Sequence, residues 1–347
     1  MEGLMPRHDF APLQGELVEL VIDAPALRGN LLGDASARRV AVYLPPGYRK
    51  SDADYPVLVD LAGFTGSGLR RLAWQPFGES VPQRLDRLLA QGRIGPMIAV
   101  FPDCFTSLGG NQYVDSPVMG NWSQFLVADL LPRIEQDFRV RRGRRHRAVM
   151  GKSSGGYGAL VQGMKNAQSW WAVACHSGDI GFEWCYLRDM PSTLDAIARA
   201  GNDIGRFVAS LHDAHKIRGA DMHALMILAM AASYDPQPEL PLGIRLPVDP
   251  HTCEVDPEAW SRWLAHDPLR MIDEPEHREG LRSLGLLYLD CGRRDQYFLH
   301  YGARAFSKRL ASNGIAHTYE EFDDDHSGVD YRLDESLPRI WTALRQS

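Results

Sequence analysis

Cysteine is scarce in this chain and follows no pattern. Its five copies, Cys104, Cys175, Cys185, Cys253 and Cys291, are odd in number and form no CxxC pair, which argues against a disulfide framework and a structural zinc site. Long apolar runs are missing as well. None approaches the ~18 residues needed to cross a bilayer, and the opening MEGLMPRHDFAPLQGEL has no apolar core of signal-peptide length. The expectation is a cytoplasmic chain with no membrane partner. Nor is there an excess of positive charge: 38 Lys and Arg stand against 44 Asp and Glu, a net charge of -6 over 347 residues. Nucleic acid needs a basic surface and is not expected as a partner. The one basic run, RVRRGRRHR at 139–147, reads as a solvated loop before a buried strand.

What is present is alternation. Strand-like runs rich in β-branched residues occur at ELVELVI, RRVAVYLP, PVLVDLAG, MIAVFPD, RAVMG, WAVACHSG, LGLLYLD and HTYEEF. Helix-period segments lie between several of them, among them VPQRLDRLLAQG, WSQFLVADLLPRIEQDF, SGGYGALVQGMKNAQ and FLHYGARAFSKRLASNG. This order specifies an α/β fold, a mostly parallel central sheet with helices on both faces. The alternation breaks at 179–283, where MHALMILAMAA and the Pro-rich YDPQPELPLGIRLPVDP appear. The expected organisation is a core of 1–178 and 284–347 with a mainly helical cap inserted at 179–283; a separate second domain is the alternative. Met222, Met226, Met230, Trp260 and Trp263 within the insertion suit either an apolar acyl pocket or the packing of the cap itself.

The stretch VMGKSSGGYGAL, 149–160, is a strand, a sharp turn and a helix start. Gly151, Ser153 and Gly155 fit GxSxG, so Ser153 rather than Ser154 takes the nucleophile register. The plain alternative is a glycine-rich turn with a capping serine. A serine hydroxyl attacks at neutral pH only with an imidazole base, which in turn needs a carboxylate to fix its tautomer. The expected chain order is serine, acid, histidine. Asp290 closes LLYLD within the strand pattern; Asp295 lies in the loop beyond and is the better placed acid. His326, in DDDHSG after the last strand, is the candidate base. The glycine-rich loop after PVLVDLAG offers the N–H of Phe64 as a second oxyanion donor beside that of Ser154.

These segments, with RRVAVYLPPGYRKSDADYPVLVDLAGFTGSG and HRAVMGKSSGGYGAL the most specific, resemble the putative-esterase (esterase D-like) family of α/β-hydrolases. That group includes enterochelin esterase-like proteins, feruloyl esterases, S-formylglutathione hydrolases and the antigen 85 acyltransferases. The resemblance implies the α/β-hydrolase fold, with Ser153 as nucleophile, Asp295 as acid, His326 as base, and Phe64 and Ser154 as oxyanion donors. Two departures are visible: Ala62 stands where many relatives carry His, and Lys152 where the residue before the nucleophile is often bulky or aromatic. The implied activity is hydrolysis of a small-molecule carboxylic ester through an acyl-enzyme, needing no cofactor and no metal. Acyl transfer with the same triad, or peptide hydrolysis, is the alternative. Asn111, Gln112, Tyr113, His176, Asp179 and Trp184, in loops at the same sheet edge, are candidates to line the substrate pocket; for His176 a purely structural role competes. Dimers are common among the proteins it resembles, which makes a homodimer the expected assembly.

Overall fold

Apolar runs such as VLVDL, IAVFP and AVACH become strands buried along their whole length, as the middle of a sheet covered on both faces requires. The computed structural model describes residues 11–345, so the reading of the N-terminal stretch lies partly outside the described residues. The strands are β1 (Glu16–Asp23), β2 (Ala37–Leu44), β3 (Val57–Leu61), β4 (Ile98–Pro102), the short pair β5 (Asp115–Ser116) and β6 (Gly120–Asn121), β7 (Arg147–Lys152), β8 (Ala172–His176), β9 (Leu286–Gly292) and β10 (Thr318–Phe322). All but β5 and β6 form one eight-stranded sheet in the order β1-β2-β4-β3-β7-β8-β9-β10. β2 is antiparallel to both neighbours; from β4 to β10 every pairing is parallel. This is the expected mostly parallel α/β sheet.

Because side chains alternate along a strand, each strand feeds two cores. Val57, Val59, Val149 and Val173 face one side with Leu160 and Val161, whereas Leu58, Ala148, Met150 and Ala174 face the other with Leu85, Leu337 and Ile340. The second core is covered by α1 (Val81–Ala90) and by the last helix of the chain. α1 begins with a capping box: Ser80 accepts from the N–H of Gln83, and Gln83 returns the bond to Ser80. The expected helix WSQFLVADLLPRIEQDF is split into α2 (Trp122–Gln124), a π-helical stretch Phe125–Leu130, and α3 (Leu131–Asp137). The widened turn directly precedes Pro132, which has no N–H to pair with the turn before it. α4 (Ser154–Lys165) follows β7 without a linker.

Between β8 and β9 run α5 (Phe182–Cys185), α6 (Met190–Ala198), α7 (Ile204–His212), α8 (Gly219–Tyr234), α9 (Pro257–Leu264), α10 (Pro268–Met271) and α11 (Pro275–Arg282). α12 (Leu299–Ser312) precedes β10, and α13 (Leu333–Arg345) closes the described chain. Within the insertion α8 is buried on nearly all sides, and Met230, Trp260 and Trp263 are buried in the core that the insertion shares with one face of the sheet. α11 lies against α4 with Gly280 on the carbonyls of Gly163 and Met164, so it covers the sheet as a crossover helix does.

Asp267 ties the two ends of this segment together. Fully buried, it accepts from the N–H groups of Gly181 (3.0 Å) and Phe182 (2.7 Å) while capping α10 through Leu269 (3.0 Å). Asp267→Ala strands three buried donors and is expected to destabilise the protein by about 2–4 kcal/mol, read as a fall in denaturation midpoint; a surface control such as Asp52→Ala should leave the midpoint in place.

Candidate active site

β7 delivers Ser153 to the carboxyl edge of the sheet, where the chain reverses into α4. The reversal holds Ser153 at φ 58° and ψ -128°, a conformation that costs an L-residue about 1–3 kcal/mol and persists only where surroundings enforce it. Glycine makes the surroundings possible. A Cβ on Gly155 would fall 2.0 Å from the Leu61 carbonyl oxygen, and one on Gly151 would fall 2.4 Å from the Gly155 carbonyl. A Cβ on Gly63 would sit 3.0 Å from the Lys152 carbonyl oxygen and 3.3 Å from the Ser153 Cβ. The loop after β3 therefore presses directly on the serine, which brings Phe64 beside it. As the first residue of α4, Ser154 points an N–H outward at the positive helix end.

The loop is held without a histidine at position 62. The Tyr113 hydroxyl donates to the Ala62 carbonyl, the N–H of Thr65 donates to Gly109 (2.8 Å), and that of Gly66 closes a turn on Gly63 (2.9 Å).

Asp295 and His326 come from separate loops after β9 and β10. Gly292 lets these loops touch: a Cβ there would lie 2.5 Å from the Asp324 carbonyl oxygen. Arg293 and Arg294 donate backbone N–H groups to Phe322 (2.9 Å) and Asp324 (3.0 Å) across the same contact. The result is a 2.7 Å hydrogen bond between His326 Nδ1 and Asp295 Oδ2, with Asp295 1% exposed. The other oxygen, Oδ1, accepts from the N–H of Tyr297 (2.9 Å), whose ring meets the imidazole edge-on. None of the three aspartates before His326 takes the ring. Asp323 pairs with Arg293 and Arg294, Asp324 accepts from Tyr331, and Asp325 accepts from the Ser327 N–H. Lys152 Nζ donates to the His326 carbonyl (3.0 Å), and burial lowers its pKa.

Ser153 and His326 open onto one cleft of about 240 Å³, floored by Gly63, Phe64 and Lys152. The insertion supplies its far wall through Cys185, Tyr186, Met222, His223 and Met226, and Asp179, Tyr297 and Leu299 complete it. Met222 and Met226 thus line the cleft. His223, Tyr186 and Leu299 carry no motif in the sequence, and only the adjacency of Tyr297 to Asp295 signals its place.

The remaining pocket candidates lie elsewhere. Asn111 is buried, bonded to the Cys104 carbonyl (2.7 Å) and to the Tyr113 N–H (2.6 Å). Tyr113 supports the loop already described. Gln112 sits behind the wall, donating to the Ser154 hydroxyl (2.8 Å) and accepting from Tyr234 (3.1 Å). Trp184 is 42% exposed and packs near Tyr301 on the outer surface. His176 points through the sheet instead of into the cleft, because neighbouring positions on a strand face opposite sides. Its Nδ1 meets Asp290 Oδ1 (2.7 Å) and its Nε2 meets the Ser336 hydroxyl (3.0 Å). That second serine, histidine and aspartate chain is closed: Ser336 is fully buried, and Arg332 (3.0 Å) also holds Asp290. Burial alone would raise the Asp290 pKa, but His176 and Arg332 hold it below the ordinary value.

A parallel sheet, an insertion after β8, and a strained serine at a strand-to-helix elbow beside an aspartate-bound histidine define an α/β-hydrolase fold. The model of the family described as "Putative esterase" matches residues 35–340, and the chain belongs to that family. Esterase Rv1288 of Mycobacterium tuberculosis (strain ATCC 25618 / H37Rv) is 35% identical over 146 residues, which are 40% of this chain and 28% of that protein. The chain thus matches about 28% of the length of its curated relatives. Among solved structures, a ferulic acid esterase superposes with a TM-score of 0.62 at 20% identity, covering 96% of this chain and 100% of its own. An S-formylglutathione hydrolase from Agrobacterium tumefaciens gives 0.56 at 16% identity, covering 96% and 97%. These likenesses bear on the fold.

The glycine packing has a direct test. Gly155→Ala is expected to cost at least about 1–3 kcal/mol through overpacking, and to slow labelling of Ser153 by a fluorophosphonate more than tenfold. A normal melting temperature together with normal labelling would show that the β3 loop does not press on the elbow.

Proposed function

We propose that the protein hydrolyses carboxylic esters with Ser153 as nucleophile, His326 as base and Asp295 as the acid that orients it. The observation that carries this reading is the 2.7 Å bond between Asp295 and His326 Nδ1, which leaves Nε2 for proton transfer in the cleft that Ser153 and His326 both line. His326 takes the Ser153 proton as the hydroxyl oxygen attacks the ester carbonyl. The tetrahedral oxyanion is held by the N–H groups of Phe64 and Ser154, each such donor being worth ~2.7–4 kcal/mol in the transition state. His326 then gives its proton to the departing alcohol, leaving an acyl-Ser153. Water enters, loses a proton to the same histidine and attacks the acyl group, and collapse of the second tetrahedral intermediate releases the acid and restores Ser153. The insertion acts as the cap: its wall of Tyr186, Met222 and Met226 bounds the space for substrate.

Ser153→Ala is expected to abolish turnover of p-nitrophenyl acetate and labelling by a fluorophosphonate. Asp295→Asn should lower kcat by about 10³–10⁴-fold through the wrong imidazole tautomer, with the fold intact by circular dichroism. Turnover or labelling that survives Ser153→Ala would overturn the assignment, and full activity in Asp295→Asn would remove Asp295 from it.

A further inference from the structure

We propose that the cleft contains a cation subsite, in which the Asp179 carboxylate binds an ammonium group carried by the ester substrate. The proposal rests on the ester-hydrolase reading above. Asp179 follows β8, is 5% exposed, and lines the cleft with Ser153 and His326. Its Oδ2 accepts from the Tyr186 hydroxyl (2.7 Å) and the Ser154 hydroxyl (3.3 Å). No hydrogen bond reaches Oδ1 among the described residues, and Asp179 is one of the residues that line the cleft.

The other buried aspartates are compensated. Asp60 holds Arg71 at 2.7 Å, Asp235 holds Arg262 at 2.7 Å and Arg245 at 3.1 Å, Asp189 holds Arg188 at 3.3 Å, and Asp221 holds Arg199 and, at 3.0 Å, Arg218. Asp290 and Asp295 have their histidines at 2.7 Å, and Asp267 has three backbone donors. Among the buried aspartates of the described residues Asp179 alone has neither an ion-pair partner nor a backbone donor, and the only positive charge that acts on it is that of His326 when protonated. A buried carboxylate in that state is costly, and a missing counter-charge is what a ligand would bring.

The walls fit a cation. The rings of Tyr186, Tyr297 and His223 and the thioethers of Met222 and Met226 surround the same space, and aromatic faces attract ammonium groups. Lys152, which also lines the cleft, is committed to the His326 carbonyl. A neutral hydroxyl ligand is a poorer match. Burial raises the Asp179 pKa to about 6, against the pull of the Tyr186 hydroxyl and of His326, and an ammonium brings the counter-charge that a neutral hydroxyl lacks.

The ammonium can lie on either side of the ester, so the test uses two isosteric pairs at pH 8. Acetylcholine is compared with 3,3-dimethylbutyl acetate, and the p-nitrophenyl ester of 4-(trimethylammonio)butanoate with that of 5,5-dimethylhexanoate. In one pair the cation should be preferred about tenfold or more in kcat/KM, which assigns the subsite to the alcohol or the acyl side. Asp179→Asn should bring that ratio close to one, a readout that cancels any general loss of activity. Should the variant fail to fold, tetramethylammonium is expected to slow fluorophosphonate labelling of the wild type where 2,2-dimethylpropanol does not. Neutral esters preferred in both pairs, a ratio unmoved by Asp179→Asn, or no protection by tetramethylammonium would overturn the subsite. Turnover of the neutral esters with no preference rejects the subsite alone; no turnover and no labelling reject the hydrolase reading, and the subsite falls with it.

Discussion

The site depends on three backbones coming closer together than side chains allow. The end of β3, the end of β7 and the first turn of α4 meet at Leu61, Gly151 and Gly155, where even a methyl group would overlap a carbonyl. This contact forces the elbow at Ser153, presses the Phe64 loop onto it, and aims the start of α4 at the same point. The strain at Ser153 is therefore the result of packing that the whole parallel sheet enforces, since β3, β7 and β8 fix the register of Leu61, Gly151 and Cys175.

Much of this was legible in the sequence because the contact leaves a chemical trace. Glycine at both flanks of a serine, after an apolar strand and before a helix, marks a turn too tight for side chains, and its position puts Ser153 in the candidate nucleophile register. The acid was harder. Asp290 and Asp295 stand five residues apart, and each binds a histidine at 2.7 Å in the fold. Their difference is strand against loop: the side chain of Asp290 faces through the sheet toward Ser336 and Arg332, while Asp295 lies past the strand end where the cleft is. The candidate acid beyond the strand belongs to the pair whose histidine lines the cleft, and distance alone would not separate it from the closed one.

What was not legible depends on contacts distant in sequence. Asn111, Gln112 and Tyr113 lie in a loop at the correct sheet edge, yet all are buried behind the cleft wall, bonded to Cys104, Ser154 and Ala62. His176 ends a strand at the same edge, but its side chain points through the sheet. Loop position predicts neighbourhood and leaves side-chain direction open. The insertion shows the same limit: α8 is apolar on nearly every face, so periodicity could not tell that Met222 and Met226 line the cleft while Met230 is buried in the core shared with the sheet.

Lys152 gives the arrangement a further property. Its ammonium lies in a partly desolvated position and spends a hydrogen bond on the carbonyl of the very residue that serves as candidate base. Pulling the 323–328 loop away would leave a poorly hydrated cation without that acceptor and would also break the Arg293 and Arg294 contacts to Phe322 and Asp324. The Lys152 bond thus ties the loop to the end of β7. Because the loop follows the edge strand β10, the Lys152 bond is what joins the candidate base to a strand at the middle of the sheet.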